Sequence, residues 1–161
     1  MTEQSNPTPN NKELSARLLA VQATYQVLLS GSYIPDIIRE YLDERIGMVI
    51  EDETIAQPDG RLFKKIMTNL HERMADINEI AKSAIKKKES PQTEEPTKLA
   101  EVEPLLMAIL LCGTCEILCH DDQDNPLIID EYLNVTHAFY DKNTVSFVNG
   151  VLDSISKMLC A

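Results

Sequence analysis

Apolar residues recur along most of this chain at steps of three and four, the spacing that draws one stripe down a helix. Leu14, Leu18, Val21, Tyr25, Leu28 and Leu29 form the first such stripe, with Asn11 placed to cap it and Gly31 to stop it. Ile34, Ile37, Ile38, Tyr41, Leu42, Ile46 and Val49 form a second, closed by the turn residues Pro58-Asp59-Gly60. A third and longer stripe runs through Leu62, Phe63, Ile66, Met67, Leu70, Met74, Ile77, Ile80, Ala81 and Ile85. It ends in Lys86-Lys87-Lys88, cations that suit the negative end of a helix dipole. Residues 105–111 are apolar on every side, which predicts a helix buried all round at the centre of the second half. Asn125, placed as a cap, and Pro126, at the first helical position, open a further helix whose inward face is Ile129, Tyr132, Leu133, Thr136 and Phe139. The last helix follows Asp141-Lys142-Asn143 and carries Phe147, Val148, Val151, Leu152, Ile155, Met158 and Leu159 inward, with Gly150 in its interior to admit close packing. No alternating pattern long enough for a strand occurs, so the fold class is all-α, with about six or seven helices.

The polar stretches divide this series. Residues 1–10, with two prolines and no apolar run, read as a disordered tail. Residues 89–103 hold five acids, one lysine and two prolines, the composition of a solvated connection. A single domain over 11–161 follows, with an N-terminal three-helix half (11–88), an acidic linker (89–103) and a C-terminal helical half (104–161).

Composition narrows function mainly by exclusion. A 43% hydrophobic chain with 5 glycines among 161 residues is globular and holds no glycine-rich phosphate loop. The longest apolar run has eight residues, far short of a membrane span, and the polar start lacks a signal peptide, so a cytoplasmic location is expected. A net charge of −11 opposes non-specific binding of nucleic acid. Cys112, Cys115 and Cys119, followed by His120, share one helix face at offsets of three and seven. A rigid helix holds such sulfurs too stiffly to surround an ion unaided, and core packing is the expectation, with a metal or thiol-redox site as the rival. His71, His120 and His137 are scattered and no serine sits in a nucleophile turn, so no catalytic residues, metal or cofactors are assigned.

Several segments together resemble the NusB family of bacterial transcription antitermination factors. They are Ala20-Val21-Gln22-Ala23-Thr24-Tyr25 in the first helix, Arg61-Leu62-Phe63-Lys64-Lys65-Ile66 in the third, Cys115-Glu116-Ile117, Ile129-Asp130-Glu131, and the C-terminal Ser146-Phe147-Val148-Asn149-Gly150-Val151-Leu152-Asp153. The likeness runs in order over residues 12–159, with 89–103 as an insertion. It implies a two-subdomain helical bundle and a non-enzymatic role. Such a protein binds boxA RNA together with the ribosomal protein NusE, within the RNA polymerase antitermination complex on ribosomal RNA operons, and some relatives form a homodimer. Carried over residue by residue, the RNA candidates are Lys12, Arg17, Gln22, Lys142, Ser146, Phe147 and Asn149. The partner candidates are Tyr25, Glu116 and Asn143, the last at a position that is usually acidic in relatives. The arginine-rich N-terminal stretch of the family is reduced here to Lys12 and Arg17 beside Glu13. A protein-interaction scaffold that kept this fold and lost independent RNA binding is therefore the alternative.

Overall fold

The computed structural model describes residues 11–46, 59–88, 102–120 and 124–160. Seven α-helices lie among them and no strand: α1 (Asn11–Ser30), α2 (Ile34–Glu40), α3 (Gly60–Glu72), α4 (Met74–Lys88), α5 (Pro104–Cys119), α6 (Asn125–His137) and α7 (Lys142–Cys160). The expected tail at 1–10 and nearly all of the acidic connection fall outside the described residues. No described helix is long and apolar enough to cross a membrane.

Helix ends follow local chemistry. Gly31 ends α1 at φ 72°, a left-handed conformation that glycine adopts without strain, and its N–H donates to the Val27 carbonyl at 2.8 Å. Asp59 caps α3 by accepting from the Arg61 and Leu62 N–H groups, each at 3.1 Å. The Asp59 N–H in turn donates to the Lys12 carbonyl at 3.0 Å, which sets the start of α3 beside the start of α1. Asp141 starts α7 by accepting from the Thr144 N–H at 3.2 Å. The second apolar stripe forms α2 and then widens into one π-helical turn, Tyr41–Ile46, while its last member, Val49, lies outside the described residues. Tyr41 is fully buried there, stacked on Phe63 and donating to Gln26 Oε1 at 3.0 Å.

Four expectations are corrected. The third stripe is two helices, broken at Arg73 (φ −122°, ψ 25°). The stripe hides the break because both halves keep an apolar face toward α5, the first half packing on α1 and α2 as well and the second on α7. The cap of α6 is Asp124, while Asn125 lies inside the helix and donates to Ser156 Oγ at 2.8 Å, tying α6 and α7 as an antiparallel pair. Leu28, Leu29, Phe139 and Met158 are exposed. Periodicity gives helical phase and not the reach of a neighbour, and Phe139 lies past the end of α6. Close helix packing falls at Gly113, where a Cβ would stand 3.1 Å from Leu152 Cδ2, whereas a Cβ at Gly150 would meet only the side-chain end of Lys88.

The centre is α5, buried continuously over residues 108–117 and contacted by α1, α3, α4, α6 and α7. That is the helix whose all-round apolar sequence predicts this place.

Candidate nucleic-acid interface

Ala16, Ala20 and Ala23 present small side chains on the inner face of α1, so α1 lies close along α5. Arg17 shares that face and is 1% exposed. Its guanidinium grips Glu116 of α5 with two bonds, Nε to Oε2 at 2.7 Å and Nη2 to Oε1 at 3.0 Å. Tyr132 of α6 donates its hydroxyl to the same Oε2 at 2.6 Å, and Glu131 stands 3.6 Å from Arg17 Nη1. Burial opposes the charge of Arg17, but the hydrogen bonds and charge of Glu116 outweigh it and hold the guanidinium protonated. Burial, then the Glu116 carboxylate, pushes the Tyr132 phenol well above its ordinary range, so it stays a donor.

Arg17 and Glu116, expected at the RNA and partner surfaces, are therefore core residues. Their two-pronged pair across 99 positions of sequence joins the first helix to the central one. The reason is geometric: position 17 is one residue from Ala16 and three from Ala20, inside the buried sector of α1. The sequence signal was available in hindsight, since a charged residue in an alanine-lined apolar sector needs an opposite charge across the helix interface.

The cysteines complete the same interface. Cys112 Sγ lies 3.3 Å from Thr24 Oγ1, and the Cys115 thiol donates to the Ile66 carbonyl at 3.5 Å. Burial pushes the Cys112 thiol up to about 12 and raises Cys115 further. Among the described residues no three His, Cys, Asp or Glu side chains are arranged to hold an ion.

The remaining candidates are at the surface or its edge. Lys12, Gln22, Lys142, Asn143, Ser146 and Asn149 are exposed, while Tyr25 and Phe147 are half-buried against the core. Lys142, Ser146 and Asn149 follow each other at steps of four and three, so they share one face of α7. The structure does not gather all of these residues. The pairs Arg17–Glu116 and Thr24–Cys112 run α1 antiparallel to α5. Tyr140, just before α7, has its phenol pushed up to about 12 by burial and by its neighbours Glu103 and Tyr25. Tyr25 and the start of α7 thus lie toward one end, and Lys12 lies at the other, roughly 20 Å away along α1 from the 1.5 Å helical rise. Beside Lys12, the first turns of α3 expose Arg61, Lys64 and Lys65. The family resemblance assigns these no role, although two adjacent lysines shortly after an arginine, set against the apolar stripe of an amphipathic helix, mark its solvent face.

A seven-helix bundle built around one apolar helix, with its buried charges satisfied internally and polar side chains displayed on α1 and α7, is a helical binding fold. The chain belongs to the NusB family, which it matches over residues 14–157. It is similar to the transcription antitermination protein NusB of Allorhizobium ampelinum, 32% identical over 99% of this chain and 96% of that one. The protein of the same name from Rhizobium rhizogenes is 30% identical over the same shares. Among solved structures, NusB of T. maritima aligns with TM-score 0.63 at 21% identity, over 96% of this chain and 93% of that one. A NusB solved with NusE and double-stranded RNA aligns with TM-score 0.69 at 17% identity, over 92% of this chain and 98% of that one. At these identities the structural likenesses speak to the fold.

Proposed function

We propose that this chain is a NusB-type antitermination factor. It binds boxA-type RNA together with NusE, joins the RNA polymerase antitermination complex in the cytoplasm and supports ribosomal RNA transcription as a scaffold without catalysis. The observation that carries this reading is the face of α7. The segment that holds the family signature turns Lys142, Ser146 and Asn149 outward together, with Phe147 at the edge. Amide, hydroxyl and ammonium groups beside a half-buried ring suit a single strand, whose backbone takes the cation and whose unstacked bases take the ring. Lys12 and Gln22 serve RNA from α1, and Tyr25 and Asn143 serve NusE. A NusB bound to NusE and RNA among the structural neighbours supports the pairing of these two partners.

One observation favours the alternative scaffold reading. With Arg17 withdrawn into the core, Lys12 is the sole surface cation of the segment 11–17. Fluorescence anisotropy of a labelled boxA-like RNA, titrated with this protein alone and with NusE, against a scrambled RNA, separates the two. Selective binding that needs NusE supports the antitermination reading. Equal binding of both RNAs with NusE present overturns it and leaves the scaffold. Sedimentation of the protein in the same buffer tests the homodimer.

A further inference from the structure

Gly150 sits in the interior of α7, where glycine weakens a helix, so its presence asks for a reason of space. The three atoms nearest to where its Cβ would stand all belong to Lys88: Cε and Nζ at 2.6 Å and Cδ at 3.2 Å. The last residue of α4 therefore lays its side chain across the bare backbone of α7. Any larger residue at 150 displaces that ammonium. Along α7 the exposed residues already assigned to RNA stand close to Gly150, with Asn149 next to it in sequence and Ser146 one turn before. Asp153, one turn after, is held by Lys157 at 3.2 Å, and among the described residues no carboxylate pairs with Lys88.

The charge of the region gives this contact its meaning. Residues 104–161 carry eight acids and two bases, so the helix bearing the signature lies in a negative half of a negative protein. A phosphate approaching the face of α7 needs a cation that this half does not supply near its middle, and α4 delivers one. We propose that Lys88 contacts an RNA backbone phosphate and that Gly150 is its positioning residue, leaving the groove in which the lysine lies. This rests on the RNA-binding reading above and names a contact within it. The phosphate, not an acidic peptide, is the occupant, because the exposed Ser146 and Asn149, one turn before Gly150 and next to it in α7, carry donors that a nucleic-acid backbone and bases accept.

The test uses the full chain with NusE and a labelled boxA-like RNA, titrated across a salt series for wild type, Lys88→Gln, Gly150→Ala, the double variant and Lys87→Gln. Losing one phosphate contact to a single strand lowers the slope of log K against log salt by about 0.7, and weakens binding about fivefold at 0.1 M salt. Lys88→Gln is expected to show both changes. Gly150→Ala is expected to show them while melting no lower than wild type, and the double variant to add nothing further. An unchanged slope in Lys88→Gln overturns the proposal, as does additivity of the two substitutions. An equal slope change in Lys87→Gln also overturns it, because net charge would then be the cause. Should wild type itself fail to prefer boxA-like over scrambled RNA, the underlying reading fails first, and that arm is scored before any variant.

Discussion

Arg17→Met tests whether the arginine of α1 is a core residue. The substitution keeps the length of the stem and removes the guanidinium, leaving the Glu116 carboxylate, 8% exposed, with the Tyr132 hydroxyl as its named donor at 2.6 Å. Removing one partner from a buried pair costs about 3–5 kcal/mol, because the remaining charge stays dehydrated. Against a total stability of roughly 5–15 kcal/mol this is a large share, and a midpoint lower by about 10 °C is expected for a chain of this length. Glu116→Gln is milder, since Tyr132 still has an oxygen to bond and Arg17 keeps Glu131 at 3.6 Å. Replacing the group together, Arg17→Met, Glu116→Leu and Tyr132→Phe, is expected to recover most of the loss, because no buried polar group is then left unmatched. The chain has no tryptophan, so urea and thermal unfolding are followed by circular dichroism. If Arg17→Met stays within about 0.5 kcal/mol of wild type, as exposed substitutions do, and instead lowers RNA affinity, the burial argument is refuted.

Stability should also fall at alkaline pH. The folded state keeps the Cys112 proton to about 12 while the unfolded thiol releases it near 9. Above that pH unfolding is therefore drawn forward at about 1.4 kcal/mol per pH unit for each such group. Urea midpoints at pH 8, 9 and 10 measure this, and Cys112→Ala should flatten the slope between 9 and 10; an unaltered slope would count against it. Gly113→Ala should destabilise by about 1–3 kcal/mol, since its Cβ meets Leu152 Cδ2 at 3.1 Å in a packed interior. Gly150→Ala should instead be neutral or stabilise by up to about 1 kcal/mol, because only a flexible lysine must move; thermal melts of the two variants decide. Asp59→Ala should cost about 1 kcal/mol through two lost cap bonds, read in the same melts, and no change would mean that the start of α3 is held by the Lys12 contact instead.

What the sequence disclosed and what it withheld divide along one line. Helix existence and phase depend on residues three and four apart, so α1, α5 and α7 and most of the core were legible. The central place of α5 was legible as well, because a helix with no polar face has nowhere else to go. The break at Arg73 was not, since a helix can change partners without changing its own periodicity. Nor was the fate of Arg17. An arginine reads as a surface cation until Glu116, 99 positions later, is known to face it. The two glycines illustrate the same limit. Gly113 and Gly150 are alike in sequence context, both inside helices, and only the neighbours that packing brings, Leu152 and Lys88, tell their roles apart.

The electrostatics set a ceiling on what this chain can do for RNA by itself. Lys12, Lys142 and Lys88 stand along the candidate surfaces, Lys12 and Lys142 toward opposite ends of α1, in a protein of net charge −11. Three phosphate contacts to a single strand give a salt slope of about 2 in magnitude, so affinity between 50 and 200 mM salt should change by roughly 20-fold. A steeper slope measured with the protein alone would mean that a further surface takes part, and the exposed Arg61, Lys64 and Lys65 beside Lys12 are the cations placed to supply it. A slope that steepens only when NusE is added would assign the extra contacts to the partner. The difference between the two slopes, divided by about 0.7, then counts the phosphates that NusE neutralises in the complex.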